Sequence, residues 1–327
     1  MRIPDLALHR PGSLDEAFEA TAAHPDHDLL GGGTDLLCNY KWRLNVRPHV
    51  ISLRHLPELQ GEAAGPLAAG RTLHELEHCP VLAQLCPELS RAAAQIATPL
   101  IRRTATLGGN LHLDTRCWHF NQTAEWRLAH DSCLKAEADQ CRVQPVPGDV
   151  CVATYSGDLA PVLMAYGAEA VLVGPDGERR VPLSEYYALD GIRRFAERKP
   201  GELMLRLDLP QDAGDWTVRY QKLRLRETFD FPEGGVAVGV RWADQPGGEI
   251  AEARVASTAY DSVPRVHPDL AERLVGRQIQ EDVAEELGAS LREEVRPMKN
   301  TSMSPAYRKK MARVLAKRAL LACLPSS

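Results

Sequence analysis

Two glycine-rich segments and a group of four cysteines are the residues whose types and spacing point to chemistry. The first segment is Leu30-Gly31-Gly32-Gly33-Thr34-Asp35-Leu36, entered straight from an apolar pair, Leu29-Leu30. Three glycines behind a strand let backbone amides converge on a phosphate without interference from Cβ atoms, and Thr34 adds a hydroxyl donor. A plain glycine-rich turn is the competing reading of this loop taken alone. It is neither a Rossmann fingerprint nor a P-loop, because G-x-G-x-x-G is absent and no Gly-Lys-Ser/Thr follows. The second segment, Thr104-Ala105-Thr106-Leu107-Gly108-Gly109-Asn110-Leu111, again combines hydroxyls, paired glycines and an amide. Two such loops would clamp a pyrophosphate from opposite sides. Arg102 and Arg103 stand beside the second, either to neutralise charge or as surface arginines.

The cysteines are Cys117, Cys133, Cys141 and Cys151, spaced C-x15-C-x7-C-x9-C. They are half of the eight in the chain. Three fall in a polar stretch, Leu111 to Val150, that shows neither strand nor helix period, and Cys151 lies just beyond it. Long irregular segments inside compact domains usually serve a function. Four thiolates from such a loop suit a [4Fe–4S] cluster or a tetrahedral zinc ion. The spacing has neither the C-x2-4-C knuckles of zinc sites nor the C-x2-C-x2-C run of ferredoxins. Iron–sulfur, zinc and no metal therefore all stay open, with disulfides disfavoured in a reducing compartment. His112, His119 and His130 are alternative ligands, and Trp118 and Trp126 would shield the site or anchor the loop. Cys38, Cys79, Cys86 and Cys323 are scattered and are expected to pack as small apolar side chains.

The elements that position these residues read as follows. Ser13 with Glu16 and Thr72 with Glu75 form capping-box patterns opening helices, the first over DEAFEATAA. HVISL (49–53) reads as a strand, and helical stretches continue through ELSRAAAQIA. Regular pattern resumes after Ser156 with a helix, DLAPVLMAYG, a strand, AEAVLVG, a Pro175-Asp176-Gly177 turn and a returning strand, RRVPL. Strand-like runs ELMLRLDLP, WTVRYQKLRLR, VAVGVRWA and IAEARVASTAY follow, and two helices close the chain. The last is expected to bury Tyr307, Met311, Val314, Leu315, Leu321 and Ala322, leaving Arg308, Lys309, Arg313 and Lys317 on a solvated face. The 327 residues are 44% apolar and 25% charged, which excludes disorder and allows two or three domains. A net charge of −5 argues against nucleic acid as a partner. The most apolar stretch, Leu159 to Gly174, is broken by Gly167 and Glu169, and the first residues lack a signal-peptide core, so a cytoplasmic protein with no membrane partner is expected.

The loops GGGTDL and ATLGGNL, then SGDLAPVLMAYGAEAV, YQKLRLRETFDFPEGGVAVGV, ASTAYDSVPRV and YRKKMARVLAKRAL, resemble in that order the FAD-binding medium subunit of the molybdenum hydroxylase (xanthine dehydrogenase) family. The resemblance implies an α+β fold of the vanillyl-alcohol-oxidase-like type. Two FAD-binding subdomains, 1–60 and 61–212, would be joined by a C-terminal α+β domain, 213–327, with an inserted cysteine-rich cluster loop at 111–152. By matching positions, Gly31, Gly32, Gly33, Thr34, Asp35 and Leu36 with Thr106, Gly108, Gly109 and Asn110 would wrap the FAD pyrophosphate. Asp114, Asp158 and Lys222 would lie near its ribityl, adenosine or isoalloxazine parts, with Leu30, Ile101 and Met204 as further cofactor-binding positions. On their own, Asp158 reads equally as a helix N-cap and Lys222 as a strand-surface charge.

The inserted loop, beginning TRCWHFNQT, resembles that of the β subunit in the 4-hydroxybenzoyl-CoA reductase branch of the family. That resemblance implies that Cys117, Cys133, Cys141 and Cys151 hold a [4Fe–4S] cluster beside the FAD. The chain would then be an electron-transfer subunit with no catalytic residue of its own. Molybdopterin and a [2Fe–2S] cluster, for which it has no motif, would lie on partner subunits of a heterohexamer, with a ferredoxin-like electron donor. The reaction implied is reductive dehydroxylation of 4-hydroxybenzoyl-CoA to benzoyl-CoA. An alternative is the FAD subunit of an aromatic or aldehyde molybdenum hydroxylase, passing substrate electrons to an acceptor. A non-catalytic scaffold with a zinc loop is a third reading.

Overall fold

The computed structural model describes residues 2–325 apart from 61–64, 66 and 197. The chain opens with β1 (Ala7–His9), α1 (Leu14–Ala23), β2 (His27–Leu30), α2 (Leu36–Lys41) and β3 (His49–Ser52). The strands form a parallel sheet in the order β1-β3-β2. Ser13 caps α1 by accepting from the Glu16 amide at 3.2 Å, but the Glu16 carboxylate turns back to the Gly12 amide, so only half of the expected box forms. Between β2 and α2 the chain turns at Gly33, whose φ of +71° is a left-handed conformation that a glycine adopts without strain.

Next come α3 (Leu73–Glu77), α4 (Pro80–Leu85), α5 (Pro87–Ala94), α6 (Pro99–Arg102), α7 (Leu107–Leu111) and α8 (Ala124–Leu128). The Thr72–Glu75 capping box at α3 is complete. Apart from the five residues of α8, the polar segment stays largely irregular, as its lack of period predicts. α9 (Leu159–Tyr166) follows, with all eight residues buried. Burying each of its larger apolar side chains contributes about 1.5–3 kcal/mol. Gly167, left-handed at φ +78°, ends the helix and turns the chain into the antiparallel strands β4 (Glu169–Gly174), β5 (Gly177–Pro182) and β6 (Leu203–Asp208), ordered β5-β4-β6.

The last third holds β7 (Thr217–Leu223), β8 (Gly234–Trp242), β9 (Ile250–Thr258), β10 (Arg265–Val266), α10 (Pro268–Glu272), α11 (Glu281–Glu294) and α12 (Pro305–Leu321). Its antiparallel sheet runs β10-β9-β8-β7. α9 packs on β7, β8 and β9 and belongs to the main core, while α11 and α12 build a second core on that sheet.

α12 corrects the expected face. Its buried residues are Arg308, Ala312, Leu315, Ala316, Ala319 and Leu320, whereas Tyr307 is exposed. Alanines carry little hydrophobicity and so hide the stripe, yet they let α12 approach α11 closely, where a Cβ on Gly288 would strike the Arg313 carbonyl. Arg313 and Lys317 pair with Glu285, and Lys317 also with Glu281, so they form a seam between helices rather than a free solvated face. Arg308 is fully buried and donates to the carbonyls of Glu233 (2.8 Å), Met298 (3.0 Å) and Ala259. Arg308→Lys keeps the charge but not the fork, and is expected to cost about 2 kcal/mol in chemical denaturation.

Candidate functional site

The structure brings the two glycine loops against each other. A Cβ on Gly31 would come within 2.7 Å of Thr106 Oγ1, and one on Gly32 would collide with the Thr104 carbonyl. Only glycine lets these backbones meet edge to edge. Thr106 Oγ1 accepts from the Gly109 amide at 3.1 Å, and Asn110 Oδ1 accepts from the Leu159 amide at 3.2 Å, which ties the second loop to the buried helix α9. The cradle fits a pyrophosphate, whose oxygens need closely spaced amides free of side chains. Gly32→Ala should push the loops apart and lower the flavin-to-protein ratio by roughly tenfold after desalting. Flavin absorbance against protein concentration measures it.

Asp158 and Lys222 prove to be partners. Lys222 Nζ lies 3.0 Å from Asp158 Oδ2, and the Tyr220 hydroxyl donates to Asp158 Oδ1 at 2.9 Å. Both charged side chains are almost wholly buried. The isolated readings are thereby replaced: Asp158 stands at the N-cap of α9 but makes no side-chain cap bond, and Lys222 is no surface charge. Burial pushes the Asp158 carboxyl above its ordinary range, with Lys222 and Tyr220 opposing the shift. Asp114 is engaged by Lys135 Nζ at 2.8 Å and by the Thr115 amide at 3.0 Å. Burial would raise its pKa, but Lys135 and Arg194 outweigh it and hold the carboxyl below the usual value. Ile101 is partly exposed on α6, whereas Met204 sits in the main core opposite Leu172. Arg102 is not available to a phosphate, since it is buried and bound to Glu77 and the Ile96 carbonyl.

The four cysteines converge. All are free and buried, and Cys117, Cys133 and Cys151 pack with Leu44, Phe120 and Ala153 in a small core of their own. Cys141 joins them through the field it exerts on the other three thiols. Burial pushes the Cys117 thiol up to about 11 and Cys151 up to about 12. Backbone amides oppose this by donating to sulfur: Phe120 and His119 to Cys117, Lys135 to Cys133, and Ala153 to Cys151. Among the described residues, no three of these sulfurs lie within 4.8 Å of one another. A zinc ion bonded to four sulfurs at about 2.3 Å would bring every pair to about 3.8 Å.

The histidines of the loop are committed elsewhere. His112 bonds the Gly108 carbonyl and the Tyr186 hydroxyl, and its pKa is lowered to about 3 by burial and Arg198. His119 bonds the Ser132 carbonyl, and His130 stacks on Trp126 and bonds its carbonyl. Trp118 is largely exposed, so it covers little of the thiol core. Of the scattered cysteines, Cys38 is exposed, contrary to expectation, while Cys79, Cys86 and Cys323 are buried as expected.

Three cations that sequence reasoning passed over hold this loop in place. Arg116, immediately before Cys117, pairs with Asp35 of the first glycine loop and donates to Asn39 Oδ1 at 2.7 Å. Lys135, two residues after Cys133, fixes Asp114. Arg127 is buried, forks onto Glu137 and donates to the Phe120 and Gln122 carbonyls. Adjacency to the cysteines was the signal available for the first two, and Arg127 left none.

The two glycine loops meet edge to edge beside the buried helix α9, with the β7–β10 sheet packed alongside. Residues 4–212 match the family described as "FAD binding domain in molybdopterin dehydrogenase", and 219–323 that described as "CO dehydrogenase flavoprotein C-terminal domain". The chain belongs to this family of FAD-binding medium subunits of molybdenum hydroxylases. It is 30% identical over 245 residues to the aldehyde oxidoreductase FAD-binding subunit PaoB of Escherichia coli (strain K12), covering 71% of this chain and 76% of that one. It is 25% identical over 322 residues to the carbon monoxide dehydrogenase medium chain of Hydrogenophaga pseudoflava, covering 97% and 96%. Reconstituted CO dehydrogenase from Oligotropha carboxidovorans shares the fold, with TM-score 0.77, 24% identity and 98% of each chain covered. Quinoline 2-oxidoreductase from Pseudomonas putida 86 does so with TM-score 0.76, 21% identity and 99% and 98% covered. Among the described residues, no helix is long and apolar enough to cross a membrane.

Proposed function

We propose that this chain is the electron-transfer subunit, carrying FAD and a [4Fe–4S] cluster, of a cytoplasmic molybdenum-dependent 4-hydroxybenzoyl-CoA reductase. The observation that carries the reading is the packing of Cys117, Cys133 and Cys151 in one small buried core, with Cys141 buried as well, tied to the first glycine loop through Arg116 and Asp35. Four thiolates supplied by one irregular segment suit a cluster whose irons each take one cysteine. Amide donors to three of the sulfurs would stabilise thiolate charge and tune its potential.

When bound, such a cluster passes single electrons and the FAD exchanges them singly or in pairs. The chain's own residues do the positioning. Gly31, Gly32, Thr106, Gly108 and Gly109 cradle the pyrophosphate, with Leu30, Gly33, Thr34, Leu36, Ile101 and Met204 as further cofactor positions. Asn110, Asp114 and the Asp158–Lys222 pair would hold the FAD beyond its phosphates, and Lys135 and Arg116 brace the cysteine loop through Asp114 and Asp35. Partner subunits supply the [2Fe–2S] and molybdenum centres in a heterohexamer. Reduced ferredoxin would supply two electrons one at a time, in two successive transfers. With two protons they convert 4-hydroxybenzoyl-CoA to benzoyl-CoA and water at the molybdenum subunit.

The second reading, the FAD subunit of an aromatic or aldehyde hydroxylase, is favoured by the aldehyde oxidoreductase name of the 30% identical relative. The complex purified anaerobically with its partners separates the two. The proposal expects benzoyl-CoA from 4-hydroxybenzoyl-CoA and a reduced low-potential donor. Oxidation of aromatic aldehydes with no removal of the ring hydroxyl from 4-hydroxybenzoyl-CoA would establish the second reading instead.

A further inference from the structure

Three imidazoles meet on one face of the first sheet, beside the start of β3. β2 runs from His27 at one end to Leu30 and the glycines at the other. Ala7 of β1 and His27 of β2 both stand opposite His49 of β3, and His9 stands opposite Ile51. Side chains alternate along a strand, so His9, His27 and His49 share one face of the sheet. His24 is the C-cap residue of α1 and lies against the same rings.

Ring nitrogens of His9, His24 and His49 all lie within 4.8 Å of one another. His9 Nε2 is 3.1 Å from His49 Nδ1, close to the roughly 3.4 Å between two nitrogens on one tetrahedral zinc. The ring centroids of His24 are 4.3 Å from His9 and 4.0 Å from His49. All three residues are half-buried, which leaves an entry path from solvent. One further feature favours a cation here. The carbonyl end of the ten-residue α1 points its partial negative charge at the site, and its last turn carries no basic side chain. His27 is held apart, with Nδ1 bonded to the His24 carbonyl at 2.7 Å.

We propose that His9, His24 and His49 form a binding site for a zinc-class divalent ion, with three imidazole ligands and solvent in the fourth position. The ion would join β1, α1 and β3 across the sheet, and neither the FAD nor the cysteine loop takes part in it.

Cobalt(II) serves as the probe, titrated anaerobically into the tag-free full-length chain. The expected result is one cobalt per chain with tetrahedral ligand-field absorption, no thiolate charge-transfer band, and displacement by zinc. His49→Gln and His9→Gln should each weaken binding about 10–100-fold. Cys133→Ser and His74→Ala, the latter on α3, should leave it unchanged. Flavin content and metal-free Tm of each histidine variant report whether the fold survives. Unchanged affinity in both histidine variants, a thiolate band that disappears with Cys133→Ser, or no bound cobalt would overturn the proposal.

Discussion

Cys133→Ser is expected to strip the iron while leaving the flavin. Bound iron should fall from near four per chain to below one, and reduction of the complex by a low-potential donor should slow about 100-fold or more. The serine hydroxyl is a harder and far weaker acid than a thiol, and the site offers it the one amide, that of Lys135, that now donates to sulfur. The glycine loops are separate from Cys133 in sequence and bonding, so flavin content should hold within a factor of about two. Iron analysis and flavin absorbance on the same sample check both halves. Equal loss of flavin and iron would mean that the loop is needed for folding rather than for electron entry. In that case Cys141→Ser, on the isolated Cys141–Gly148 bridge, is the cleaner probe.

Lys222→Met is expected to be the most destabilising single change in the flavin half. It leaves Asp158 buried with the Tyr220 hydroxyl as its remaining side-chain donor. Breaking a buried pair from one side costs about 3–5 kcal/mol, because an uncompensated charge stays behind. A Tm fall of about 4–7 °C should accompany it in calorimetry. Asp158→Asn with Lys222→Met should recover part of the loss, since neither charge then remains, and a double-mutant cycle measures the coupling. Full additivity of the two single losses would show that the pair does not act as a unit.

Local signals in the sequence served well and distant pairings did not. The glycine loops were legible as a pair in the family's order, since the first alone reads equally as a turn, and the cysteines because four cluster in or beside a segment with no core pattern. The Thr72–Glu75 box needed only its own four residues. Asp158 and Lys222, by contrast, are 64 positions apart and Arg116 and Asp35 are 81 apart, and each reads alone as an ordinary cap or surface charge. Arg308 looked solvated because its acceptors are carbonyls of Glu233, Ala259 and Met298, brought to it by the sheet and the turn before α12. The histidine trio depends on strand register, which periodicity does not encode.

The most direct test of the central claim is the iron and acid-labile sulfide content of the anaerobically purified chain, measured with its FAD. The account predicts near four iron, four sulfide and one FAD per chain. One zinc per chain, or FAD with no metal, would contradict it and leave a medium subunit that carries flavin alone.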